Sequence, residues 1–125
     1  MLGPPGREVE LLQTADQPAT VGAVIARLCG KEGVPPQDVV VLSSHSRRGS
    51  EVGRAGPSKP YEFVDEAVPL GNFIRFSSIR GFKGLESPAV ILCELEDIED
   101  ETIDQQLYVG ISRARNHCVI VAPEA

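Results

Sequence analysis

Phe76-Ser-Ser-Ile-Arg-Gly-Phe-Lys-Gly-Leu-Glu-Ser-Pro88 runs without a break into Ala89-Val-Ile-Leu-Cys93. A polar stretch with two glycines, a lysine and a glutamate separates two apolar runs. Both runs, Phe73 to Ser77 and Ala89 to Cys93, read as strands. Gly81 and Gly84 allow tight turns and close approach of backbone to a ligand. Ser78, Arg80 and Lys83 can donate to phosphates, and Glu86 can accept from a ribose hydroxyl. The stretch follows a strand, and α/β sheets bind ligands beyond the carboxyl ends of their strands. Taken alone, it is better read as a glycine-rich surface turn with a lysine on it.

Twelve residues lie between Cys93 and a second block, Gln106-Leu-Tyr-Val-Gly-Ile-Ser-Arg-Ala-Arg115. The spacing predicts a helix over 102–115, with Ile103, Leu107, Ile111 and Ala114 on its buried face. Gln106, Val109, Gly110 and Arg113 fall on another stripe, at i, i+3, i+4 and i+7. An arginine there can face a transferring phosphate, or be a solvated residue on an amphipathic helix. A last strand is expected from His117 to Val121.

Outward from these blocks, strands and helices alternate. Arg7 to Gln13 reads as a short strand. A helix is expected from about Pro18 to Lys31, with Val21, Val24, Ile25 and Leu28 on one face. Asp16 can cap its start, Pro18 suits its first turn, and Gly30 or Gly33 can end it. Asp38 to Leu42 is the β-branched, apolar run of a buried parallel strand. His45 to Pro60 holds almost no apolar residue and is expected to be a flexible loop. Tyr61 to Val64 is a minor strand. The alternation predicts an α/β layer fold with a mainly parallel sheet in one small domain, residues 1–125.

Only six of the 125 residues are aromatic and none is Trp, so the core must be aliphatic. No apolar run approaches the ~20 residues needed to span a bilayer. Met-Leu-Gly-Pro-Pro-Gly carries no basic start and no apolar segment, which points away from a signal peptide. Three cysteines without a Cys-x-x-Cys pair suit buried thiols in a reducing, cytoplasmic setting. The net charge of −6 argues against a free-standing nucleic-acid binder. The charge is uneven, however. Seven of the 18 acids fall between Glu94 and Asp104, and seven of the 12 basic residues between Arg47 and Lys83.

Several chemistries lack their residues. The only Gly-Lys pair, Gly30-Lys31, is followed by Glu32, and Ile25 stands where a phosphate loop needs its first glycine. No apolar strand ends in Asp-Glu to hold magnesium. There is no metal-ligand spacing, His45 and His117 are isolated, and no Gly-x-Gly-x-x-Gly supports a dinucleotide-binding enzyme. Alone, the chain is expected not to hydrolyse ATP.

In order and spacing, the two blocks resemble motifs V and VI of the UvrD/Rep-like superfamily 1 DNA helicases. There a Thr-x-His-x-x-Lys-Gly-Leu-Glu block precedes a Tyr-Val-x-x-Thr-Arg-Ala block. The resemblance covers Phe76 to Ala122, and more loosely Val9 to Ser46. It implies a RecA-like fold of the P-loop NTPase superfamily, here lacking its own P-loop. It implies nucleotide contacts from Gly84 and Glu86, with Glu86 near the ribose, and an arginine finger at Arg113. Ser78 and Arg80 take the positions that face single-stranded DNA. ATP with Mg2+ would bind only with a missing N-terminal RecA-like ATPase domain, in the same chain or a partner. DNA binding by the lone domain would be weak, and no membrane is implied. Arg80 departs from the family's His, and Ser87 from its aromatic. About thirty residues between Ser46 and Phe76 leave no room for the large inserted domain. A binding or regulatory module that keeps the helicase fold without the chemistry is the alternative.

Overall fold

The computed structural model describes residues 8–45, 47–66, 68, 70–79, 81–82, 85–95 and 111–123. Six strands form one sheet: β1 (Glu8–Thr14), β2 (Val39–Ser43), β3 (Glu62–Val64), β4 (Phe73–Ser78), β5 (Ser87–Cys93) and β6 (Ala114–Pro123). Their spatial order is β1-β6-β5-β2-β4-β3, and every neighbouring pair is parallel. The fold is a mixed α/β layer of the RecA-like kind. Helices α1 (Gln17–Ala26) and α2 (Glu51–Ala55) connect β1 to β2 and β2 to β3.

The alternation of side chains along the strands separates two cores. Val39, Val41, Ile74, Phe76, Ala89, Ile91, Cys93, Val119 and Val121 face α1, which contributes Val21, Val24 and Ile25. Val40, Leu42, Val90, Leu92, Cys118 and Ile120 face the other way, against Ile79, Phe82 and Ala114. Burial on both faces explains why β2 and β5 are nearly continuous apolar runs.

Asp16 caps α1 as its sequence position suggests, its Oδ1 accepting from Ala19 N at 3.1 Å. The helix gives way at Arg27 to a π-helical turn, Arg27–Lys31, and Gly33 follows at φ +75°. A positive φ there suits a residue without Cβ.

Two boundaries differ from expectation. Residues 111–113 are helical, but β6 already begins at Ala114. Ala114 pairs with Ser87 and His117 with Ala89, so Arg115 and Asn116 lie within the strand at a bulge, three residues of β6 being spanned by two of β5, rather than at a helix end. The rest of the expected helix, 102–110, lies outside the described residues. The expected loop His45–Pro60 holds a 3-10 turn (Arg47–Gly49) and the short helix α2. Its one large apolar residue, Val52, is buried in the α1-side core, and Ser50 caps the helix by accepting from Gly53 N at 2.8 Å.

Candidate functional site

Strand register decides where the expected site residues lie. Ser78 ends β4 level with Ser43, the last residue of β2. Glu86 immediately precedes β5, and Arg113 immediately precedes β6. Ser87 and Ala114 are ladder partners, so Glu86 and Arg113 enter the sheet side by side. They do so at its amino edge, whereas Ser78 is at its carboxyl edge. Ala89 is level with Val39, so Ser87 and Ser78 are about six strand residues apart along the strands. At ~3.3 Å per residue this is about 20 Å. Gly84 and Arg80 lie outside the described residues.

The stretch between β4 and β5 is therefore a crossover and not a turn projecting from the ligand-binding edge. It passes over β2, because β5 and β4 flank that strand. Ile79 and Phe82 bury against β2 and β5 and hold the crossover to the sheet. The Arg75 guanidinium lies 5.1 Å from the centre of the Phe82 ring, a cation–π contact that fixes it further. Phe82 N donates to Ser78 O at 3.1 Å and Leu85 N to Phe82 O at 3.1 Å. Ser78 Oγ accepts from Gly81 N at 2.9 Å. A Cβ on Gly81 would stand 3.0 Å from the hydroxyl oxygens of Ser77 and Ser78, so close approach is what requires glycine here.

At the amino edge, Glu86 is exposed and Arg113 half-buried. Arg113 Nε is buried and, among the described residues, has no hydrogen-bond partner. A buried guanidinium donor left unmade is costly, and a phosphate oxygen is a fitting acceptor for it. Ser87 is buried. Its hydroxyl donates to Asp38 O at 2.7 Å and to Ala89 O at 3.3 Å, joining the start of β5 to the start of β2.

Sequence reasoning missed Glu94, which organises the carboxyl edge. Its backbone is left-handed, at φ 51°. Ser43 Oγ donates to its Oε1 at 2.9 Å, and Ser50 Oγ donates to the same oxygen. Glu51 N and Val52 N donate to its Oε2 at 2.9 and 3.3 Å. Ser44 Oγ donates to Glu94 O, and Glu94 N donates to Gln17 Oε1 at 2.7 Å. Four segments meet on this residue: the start of α1, the end of β2, the start of α2 and the end of β5. A signal was available: a charged residue directly after a fully apolar parallel strand must sit at the carboxyl edge, opposite the serines that end β2. A cleft of about 350 Å³ beside it is lined by Thr14, Asp16, Gln17, Glu51, Glu94 and Pro123. Its carboxylates disfavour an anion, and none of the expected nucleotide residues reaches it. Burial pushes the neighbouring Cys93 thiol well above its ordinary range, and the Glu94 charge adds to the effect.

Among the described residues no group of His, Cys, Asp or Glu is placed to hold a metal ion. No helix among them is long and apolar enough to cross a membrane.

Residues 73–121 match the family model of the UvrD-like helicase C-terminal domain. No curated protein matches the chain significantly. Among solved structures, the chain is similar to the C-terminal domain of a possible DNA helicase from Lactobacillus plantarum WCFS1. The TM-score is 0.60 at 20% identity, over 94% of this chain and 73% of that one. At this identity the likeness is one of fold.

Proposed function

We propose that this chain, whose residues 73–121 are those of a UvrD-like helicase C-terminal domain, is the second RecA-like half of an ATP-driven motor on DNA. An N-terminal RecA-like ATPase domain supplies the phosphate loop and magnesium ligands that this sequence lacks. ATP bound there provides the phosphoanhydride whose hydrolysis drives the motor. Arg113 donates to the terminal phosphate and stabilises charge as it is transferred, and Glu86 and Gly84 lie beside the nucleotide, Glu86 toward the ribose. Ser78 and Arg80 touch single-stranded DNA. The setting is cytoplasmic.

One observation carries the reading. Glu86 and Arg113, far apart in sequence, enter the sheet side by side, with Arg113 Nε buried and lacking an acceptor among the described residues. The pair is separated by about 20 Å of strand from Ser78. A domain that contacts nucleotide at one edge and DNA at the other can convert domain closure into movement of the strand.

The test is Arg113→Lys in the intact two-domain protein. Lysine keeps the charge but loses the planar fork that engages two phosphate oxygens. The expected outcome is a loss of at least roughly 10²-fold in kcat with ATP affinity retained, below the full arginine-finger effect because charge remains. ATPase turnover within a few-fold of wild type removes Arg113 from the reaction.

A further inference from the structure

The segment that Glu94 holds down is also basic. From Arg47 to Lys59 there are four cationic residues and one acid, Glu51, in a chain of net charge −6. We propose that Arg48 and Arg54 form a second phosphate-contacting surface for single-stranded nucleic acid, pre-organised by Glu94. The inference rests on the reading that nucleic acid passes the carboxyl edge at Ser78, and it extends that contact along the edge.

Position is the first support. Ser43 is level with Ser78, and Ser43 O accepts from Ile79 N at 2.8 Å. The chain then continues directly into the 3-10 turn and α2. The arginines thus follow the strand end that is hydrogen-bonded to the Ser78 stretch. Availability is the second. Arg48 and Arg54 are both exposed, and among the described residues neither forms an ion pair. Arg54 Nε donates to Ser50 O at 3.3 Å, which steadies the stem of its side chain. The third is order. Gly49, Gly53 and Gly56 would leave such a segment loose, and a loose segment must be ordered on binding at a cost in affinity. Instead, Ser50 Oγ, Glu51 N and Val52 N are all tied to the Glu94 carboxylate, and Val52 is buried. The opposing charges are accounted for. Both Glu94 oxygens are occupied by donors; Glu51 is the exposed carboxylate within the segment, and Asp16 lies across the cleft.

The role of Glu94 makes an expectation of unusual sign. Removing a carboxylate from an acidic protein should by simple electrostatics strengthen its binding to a polyanion. Glu94→Gly removes that charge and tolerates φ 51°, but releases the segment. Here it should weaken binding several-fold.

The experiment is fluorescence anisotropy of the 125-residue chain with a labelled single-stranded oligothymidylate, over a salt series starting at low ionic strength. Arg48→Ala with Arg54→Ala should lower affinity by about tenfold and make the salt slope shallower by roughly 1.4, two single-strand phosphate contacts. Lys31→Ala, at the end of the π-helical turn that follows α1 and close to the amino edge, is the control for loss of positive charge and should stay within about twofold of wild type. A loss per charge from the arginine pair no greater than that from Lys31→Ala overturns the proposal, as does tighter binding by a folded Glu94→Gly. Should Glu94→Gly fail to fold, the arginine and lysine variants decide alone. Ser78→Glu separates the two ideas. If it abolishes binding while the arginine variants change nothing, the DNA reading stands and this inference falls. If only the arginine variants act, the inference stands and Ser78 leaves the interface. Absence of any binding by the wild-type chain at low salt overturns both.

Discussion

Replacing Glu94 by glutamine isolates the strength of the carboxyl-edge clamp, because shape is kept and only charge and one acceptor are lost. The carboxylate takes four donors, two on each oxygen. The amide side chain should turn its oxygen toward Glu51 N and Val52 N, which can only donate. Its NH2 then faces the hydroxyls of Ser43 and Ser50, which can reverse and accept. Four charge-assisted bonds become four neutral ones. The difference is about 1 kcal/mol per bond when fully buried, and about half that at this partly solvated edge. The sum is about 2 kcal/mol of destabilisation. For a domain of this size that corresponds to a fall in Tm of about 6–8 °C. Thermal unfolding by circular dichroism measures it, and amide exchange localises it. Glu51 and Val52 amides should exchange faster in the variant, while those of β5 remain protected. A Tm within 1 °C of wild type, with unchanged exchange at Val52, would refute the reasoning.

Thiol reactivity offers an independent check on the sheet. Cys93 and Cys118 are buried and Cys29 is partly exposed, with the Cys29 and Cys93 thiols both raised by burial. Titration with a disulfide reagent should modify Cys29 first, and the other two only at the rate of unfolding; prompt reaction of two thiols contradicts the packing of β5 or β6. Acid titration tests the pair Glu10–Arg27, whose oxygens and nitrogens meet at 2.7 and 3.0 Å. The hydrogen bond from Arg27 lowers the Glu10 pKa against a smaller opposing effect of burial, so its stabilisation is present above the ordinary carboxylate range and lost as pH falls through the lowered folded value. Because both side chains are substantially exposed, Glu10→Gln should cost only about 0.5 kcal/mol at neutral pH, and the difference from wild type should vanish in acid.

Strands β2 and β5 were legible because each is a short β-branched or aliphatic run buried on both sides, and too short for a buried helix. Helix α1 was legible from its period and from Asp16. Helix α2 was not. Glu-Val-Gly-Arg-Ala is only five residues long, with a glycine at its centre and one apolar anchor, and its order comes from a carboxylate 42 to 44 residues away. Such a tertiary cap leaves no local trace. The start of β6 was hidden for a related reason. Arg115 and Asn116 look like a helix end and a short link before the strand expected at His117, and only the pairing of Ala114 and His117 with β5 on either side makes them part of the strand. For the site, the residue types could be read but not their partition. Placing Ser78 at one edge of the sheet and Glu86 with Arg113 at the other requires the strand order, and above all the passage of the β4–β5 connection across β2.

That passage sets a length constraint. From Ser78 to Ser87 the chain must travel about 20 Å along the strands and two strand spacings, about 10 Å, sideways, or about 22 Å in all. The eight residues 79–86 coiled into an α-helix would reach only about 12 Å, whereas fully extended they reach nearly 30 Å. The connection is thus too short to be the helix that usually links parallel strands, and has only a few residues of slack. Losing three of them would pull β4 or β5 out of register, turning every side chain on the shifted strand toward the wrong layer if the slip were one residue. The crossover behaves as a strap of fixed length between the two edges, and substitution within it should be far better tolerated than deletion.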